Sequence, residues 1–233
     1  MPDDQQLDHL QERLGYRFRK RALLVEALSH SSYVNEKLDA SGSSNERMEF
    51  LGDSVLGLII TQHLFEHYPK CSEGELTLMK SVLVSEGTLA GIAQRIELGP
   101  CLYLGKGEAS SGGAERPSNL SNALEALLAA LYLDAGIEEA RRATEALFEE
   151  DLKKIETTRH SLNYKNLLQH YSQERRGAIP EYVLLGSHGP QHDKFFEIEV
   201  RIKGVALGRG SGRSKKEAEQ EAARLALEAL GKQ

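Results

Sequence analysis

The chain has 233 residues, 40% of them hydrophobic and 27% charged, with no Trp; that allows one or two domains with a core and suits a soluble protein. The net charge of −6 is uneven: residues 1–158 carry 16 Lys and Arg against 26 Asp and Glu, and residues 159–233 carry 13 against 9. The basic part invites a polyanion and the acidic part invites cations. The polar start Met1-Pro2-Asp3-Asp4-Gln5-Gln6 lacks the basic residues and apolar core of a signal peptide. The apolar run from Val55 to Ile60 is broken by Gly57 and too short to span a bilayer. Cys71 and Cys101 are isolated, so neither a disulfide framework nor paired-cysteine zinc is expected. The expected setting is a reducing cytoplasm, away from membranes.

Residues 7–67 read as helical. Leu7, Leu10 and Leu14 keep helical spacing up to Gly15, and a second helix covers Leu23 to His30. His30 is expected to be a hydrogen-bonded structural histidine, since nothing nucleophilic sits at a fixed spacing from it. After a loop at 39–44, Ser44 or Asn45 is placed to cap a long helix that runs to Tyr68, where Pro69 stops it. That helix opens with Glu46-Arg47-Met48-Glu49-Phe50-Leu51-Gly52-Asp53-Ser54-Val55-Leu56. Glu46, Glu49 and Asp53 follow i, i+3, i+7 and share one face, while Met48, Leu51, Val55, Leu58 and Ile59 make an apolar one. Like charges on one face repel, and a divalent cation is the simplest offset. A solvated acidic face is the plainer alternative.

Ser72 and Glu75 form a capping pattern, with Glu73 in the same turn. Leu76 to Ile96 reads as one helical stretch. The glycine-rich segment 104–113 is not a P-loop, because Gly107 follows Lys106 where Ser or Thr is required. Ser118 to Asp134 reads as a buried helix in which Asn122 and Glu125 share a face, and an acid in so apolar a helix needs a partner. Residues 138–156 make another helix, and Thr157–Ser161 a short linker. The period then changes. A helix over Asn163–Glu174 precedes strands at Glu181–Gly186, Phe196–Ile202 and Val205–Gly210, and a helix follows over Ser214–Leu230. Lys215 and Lys216 fall in the first turn of that last helix, where the dipole disfavours cations by roughly 0.3–1 kcal/mol each. A phosphate at that helix start would account for them; two solvated lysines are the alternative.

The word ERMEFLGDSVL, Glu46 to Leu56, resembles the signature of the ribonuclease III family, which usually has Leu where Met48 stands. Similarity extends along almost the whole chain. Residues 23–32 resemble the family's LLxxALTHxS segment, and 107–113 its GxxxSGG loop. Residues 122–126 resemble its DxxEA word, with Asn122 in place of the first acid. The α-β-β-β-α part resembles the double-stranded RNA-binding domain, with its GPxH turn at Gly189–His192 and its KKxAE word at Lys215–Glu219.

The resemblance implies a mainly α endonuclease domain at 1–156, a linker at 157–161 and an α+β double-stranded RNA-binding domain at 162–231. It implies Mg²⁺-dependent (or Mn²⁺-dependent) hydrolysis of double-stranded RNA to 5′-phosphate and 3′-hydroxyl ends, in processing of ribosomal and other RNA precursors. Glu49, Asp53, Asn122 and Glu125 would hold the metal, with Asp53 and Glu125 least dispensable for catalysis. Glu46 and Glu73 would be supporting acids, and Arg116 is placed to meet a phosphate. Gln169, Gln173, His192, Ser214, Lys215 and Lys216 would contact RNA across two minor grooves of the A-form duplex. Phe50 would pack into a second copy, giving a homodimer with one site per strand; on composition it fits a core equally. The amide of Asn122 can ligate Mg²⁺ but brings no charge, so the ion would be held more weakly. An RNA-binding protein with an impaired nuclease site is the alternative.

Overall fold

A computed structural model of the protein describes residues 2–36, 43–158, 164–189 and 194–231. The chain divides into two compact units: Met1–Pro69 with Met79–Glu156, and Thr157–Gln233 with Lys70–Leu78.

In the first unit the helices are α1 (Asp4–Leu14), α2 (Arg21–Ala27), α3 (Ser31–Glu36), α4 (Glu46–His67), α5 (Glu73–Leu83, entering from the other unit), α6 (Glu86–Arg95), α7 (Lys106–Ser110), α8 (Pro117–Ala135) and α9 (Ile137–Thr158). Helix α1 starts in a capping box between Asp3 and Gln6, buries Leu7, Leu10 and Leu14, and ends at Gly15 with φ 69°. The stretch 76–96 is not one helix. Ser85 interrupts it: its hydroxyl donates to the Val82 carbonyl at 2.8 Å and accepts from Thr88 N, capping α6. The glycine-rich segment is likewise not all loop, since α7 forms within it.

Helix α8 is the centre of this unit. Leu120, Ala123, Leu124 and the run Ala126 to Leu131 are all buried, each leucine contributing roughly 1.5–3 kcal/mol. Its alanines let neighbours approach closely: Ala126, Ala129 and Ala130 pack with Ala27 and Met48. At its end Asp134 accepts from Tyr16 Oη at 2.9 Å and from Arg19 N at 2.7 Å, fixing the chain ahead of α2. Among the described residues no single helix is long and apolar enough to cross a membrane.

The second unit holds α10 (Tyr164–Arg176), an antiparallel sheet in the order β1 (Glu181–His188), β2 (Phe195–Ile202), β3 (Val205–Gly212), and α11 (Lys215–Gly231). Ile198, Val200 and Ile202 alternate towards Leu168 of α10 and Ala218, Ala222 and Ala226 of α11. On β3 the helix-facing positions are Gly208, Gly210 and Gly212. A side-chain carbon at any of them would overlap α11. Strand β3 therefore runs two residues past Gly210, and its glycines admit the helix.

Candidate active site

The acidic face of α4 lies against α8. Asn45 stands at the N-cap but makes no side-chain capping bond; Ser44 Oγ instead donates to Glu46 Oε2 at 3.1 Å. Glu46 and Asp53 are exposed and Glu49 is half-buried. Behind them Gly52 meets the main chain of Glu125 so closely that a Cβ would overlap its carbonyl. That approach sets Glu125 beside the α4 acids. Burial, then Asp53, then Glu49 push the Glu125 carboxyl up to about 7. Burial and Glu46 raise Glu49 as well. Each shift records a carboxylate that is poorly solvated and faces its own sign of charge.

Asn122 stands one turn before Glu125, half-buried, and its Oδ1 accepts a long bond from Ser121 Oγ at 3.4 Å. Glu49 and Asp53 of α4 and Glu125 of α8 are thus brought together from opposite helices, with Asn122 one turn away on α8. Among the described residues, no three Cys, His, Asp or Glu side chains already surround one metal-sized point. The donor set nevertheless suits a hard divalent ion: it is all oxygen, and its mutual repulsion is what such an ion would offset.

Two residues that the sequence reading passed over belong to this region. Gly52 was only one letter of a signature; its signal is a glycine inside a helix that otherwise has good helix formers. Lys80 lines a cleft of about 270 Å³ together with Asp53, Gly57 and Thr61. A cation beside an acidic face is a visible cue only once α4 and α5 are adjacent.

Other expected residues fall elsewhere. Arg116 is engaged within the chain: it is bound by Glu108 and donates to Ser111 Oγ at 3.1 Å, while Asn119 Nδ2 donates to the same Glu108 at 2.7 Å. Glu73 opens α5 in the second unit and accepts from Thr77 Oγ1 at 3.0 Å. Glu75 closes the capping box with Ser72. His30 Nδ1 is 2.8 Å from Ser32 Oγ, a structural bond as expected. Phe50 is 80% exposed, which removes the reading of it as core. Leu58 and Phe65 are exposed on the same side of α4, within roughly a quarter-turn of Phe50.

In the second unit Gln169 and Gln173 are exposed on α10, one turn apart. Lys215 and Lys216 are exposed in the first turn of α11. Ser214 is committed to the helix cap, accepting from Glu217 N at 3.1 Å. His192 lies outside the described residues.

The family models agree with this division. One described as ribonuclease-III-like matches residues 20–152, and the double-stranded RNA binding motif matches residues 164–230. The chain is 44% identical over 221 residues to a protein named ribonuclease 3 from Syntrophotalea carbinolica, covering 95% of each chain. It is 47% identical over 221 residues to ribonuclease 3 from Geobacter sulfurreducens, covering 95% of this chain and 89% of that one. The nuclease domain of ribonuclease III from Campylobacter jejuni, described with a region involved in dimer formation, superposes with a TM-score of 0.58. It is 38% identical, and the match covers 62% of this chain and 96% of that one. Signature helix, buried partner helix and RNA-binding unit stand in one chain, matched over nearly its whole length, and the chain belongs to the ribonuclease III family.

Proposed function

We propose that the protein is an endoribonuclease that hydrolyses double-stranded RNA, leaving 5′-phosphate and 3′-hydroxyl ends, and that RNA precursors, ribosomal among them, are its substrates. The observation that carries this is the close main-chain approach of Gly52 on α4 to Glu125 on α8, which sets Glu49 and Asp53 beside Glu125. Glu49, Asp53, Asn122 and Glu125 would hold Mg²⁺, with Mn²⁺ as a substitute; Asp53 and Glu125 matter most. When bound, such an ion neutralises phosphate charge and lowers the pKa of water towards that of a usable nucleophile. Glu46 sits at the exposed edge, where it orients rather than ligates. Lys80 would draw a phosphate along the cleft beside Asp53.

The double-stranded RNA binding motif supplies the duplex. Lys215 and Lys216 would meet phosphates at the start of α11, with Gln169 and Gln173 in a minor groove. The boundaries proposed are an endonuclease domain at 1–156, a linker at 157–161 and an RNA-binding domain at 162–231. A homodimer fits the exposed Phe50, Leu58 and Phe65 on α4, with one site for each strand. Unbridged Cys71 and Cys101 suit a reducing cytoplasm. A blunt labelled RNA duplex tests the reading: it should be cut with Mg²⁺ and survive with chelator. A duplex that is bound in Mg²⁺ but never cut would instead support the RNA-binding alternative with an impaired site.

A further inference from the structure

Helix α8 begins without a cap of its own. Its N-cap residue, Arg116, makes no side-chain capping bond, and Pro117 follows at the first helical position. The start is held instead by Asn119, which is only 8% exposed. Its Nδ2 donates to the Gly113 carbonyl at 3.0 Å and to Glu108 Oε1 at 2.7 Å. The same Glu108 oxygen accepts from the Arg116 guanidinium. Glu108 lies mostly buried on α7, its side chain 17% exposed, and a carboxylate there also favours the positive end of the α8 dipole. A side-chain carbon at Gly113 would lie 2.7 Å from Glu108 Cγ and Oε1, so the glycine lets the loop close on the carboxylate. Helix α7 is anchored on its other side by α3: Gly105 N donates to Ser32 Oγ and Lys106 N to Glu36 Oε2, both at 2.9 Å. Just before α3, the Ser29 carbonyl accepts from Asn45 N at 2.8 Å, at the start of α4.

A bracket of hydrogen bonds therefore joins the first turns of the two helices that carry the site residues. Their other fixed point is the crossing of Gly52 with Glu125. Asn122 follows Asn119 by three residues and Glu125 by six, so the rotation of α8 set at Asn119 also sets where Asn122 and Glu125 face. We infer, on the reading of those residues as ion ligands, that Glu108 is a positioning residue of the site: acting through Arg116 and Asn119, it holds α8 at the rotation that turns Asn122 and Glu125 towards the acids of α4. Without the Glu108 charge, Arg116 and the buried Asn119 amide are left short of a partner. The first turn of α8 is then free to rotate, and the ligand oxygens spread. The plainer role, a brace that only keeps residues 108–116 closed, would cost stability without touching the ion.

The test titrates Mn²⁺ into the RNA-free full chain and counts the free ion by electron paramagnetic resonance. Glu108→Gln keeps the size of the side chain and an acceptor for Asn119 but removes the charge facing Arg116. It should weaken Mn²⁺ binding on the order of fivefold, within the range for substitutions that act through intervening residues. Asn119→Ala should weaken it similarly, and the double variant no more than the worse single, since both act through one contact. Tyr16→Phe removes the bond to Asp134 at the far end of α8; it should lower the melting temperature yet bind Mn²⁺ like the parent. In cleavage, Glu108→Gln should raise the half-maximal Mg²⁺ concentration by the same factor and leave the rate at saturating Mg²⁺ within about twofold. Parental Mn²⁺ affinity in both Glu108→Gln and Asn119→Ala, with both folded, would overturn the inference, as would an equal loss in Tyr16→Phe. A parent that neither binds Mn²⁺ nor cuts duplex would overturn the reading of the ligands themselves.

Discussion

Gly52 of α4 and Glu125 of α8 touch through their main chains: a side-chain carbon at Gly52 would overlap the Glu125 carbonyl and lie 3.0 Å from its Cα. The site acids share a neighbourhood because one residue has no side chain. Gly52→Ala should therefore destabilise the protein by roughly 1–3 kcal/mol through overpacking, despite the better helix propensity of alanine. Gly91, on α6, has nothing within 4 Å of its would-be Cβ. Gly91→Ala should stabilise by up to about 1 kcal/mol. Urea denaturation of both variants checks the pair; equal effects would contradict the close approach.

The raised Glu125 carboxyl makes metal-free stability pH-dependent. Its ordinary value is 4.5 and its folded value about 7. The folded chain then keeps a proton that the unfolded chain releases, so stability falls as pH rises from roughly 4.5 to 7 and stays reduced above that. In chelator, Glu125→Gln should flatten this slope and gain on the order of 1–3 kcal/mol at pH 8. Mg²⁺ should raise the melting temperature of the parent at pH 8 more than that of the variant. Denaturation curves at several pH values check the sign.

Asn122 lacks the charge that an aspartate would add to the site. Asn122→Asp should lower the Mg²⁺ concentration needed for half-maximal cleavage, by roughly tenfold if the added charge contributes about 1.4 kcal/mol to binding the ion. Cleavage rates measured across a Mg²⁺ series give the comparison, and superimposable curves would remove Asn122 from the ligand set.

Lys215 and Lys216 on α11 are exposed at the end of a helix where cations cost energy. Replacing both with Ala should weaken duplex binding irrespective of sequence and reduce the salt dependence by about one phosphate contact per lysine. Fluorescence anisotropy at several salt concentrations measures it. A variant with the parent's salt slope would show that neither lysine meets a phosphate.

Phe50 is 80% exposed on α4. Phe50→Asp should shift the protein to monomer in sedimentation and lower double-strand cleavage, while the fold survives because no core contact is lost. An unchanged dimer would place the interface elsewhere.

The sequence showed most where periodicity and chemistry agreed. The acid spacing of α4, the apolar α8 around Glu125 and the alternation along β2 are all legible in the sequence. Ser85 was missed because apolar residues continue on both sides of it, so a capping serine hid inside what looked like one helix. The end of β3 was missed because Gly208, Gly210 and Gly212 carry no side chains to alternate. The pairing of Arg116 with Glu108 was also hidden, since it depends on α7 forming inside a glycine-rich stretch. Gly52 and Lys80 gain meaning only when two helices are set side by side, which spacing along one chain does not convey.

The most direct test replaces one atom. Glu125→Gln keeps the size of the side chain and removes its charge. Single-turnover cleavage of a labelled duplex in Mg²⁺ should fall by at least about a thousandfold, as expected for a transition-state contact of some 4 kcal/mol, while duplex affinity stays within about twofold. Cleavage at the parent rate, with affinity unchanged, would contradict the placement of the reaction between α4 and α8.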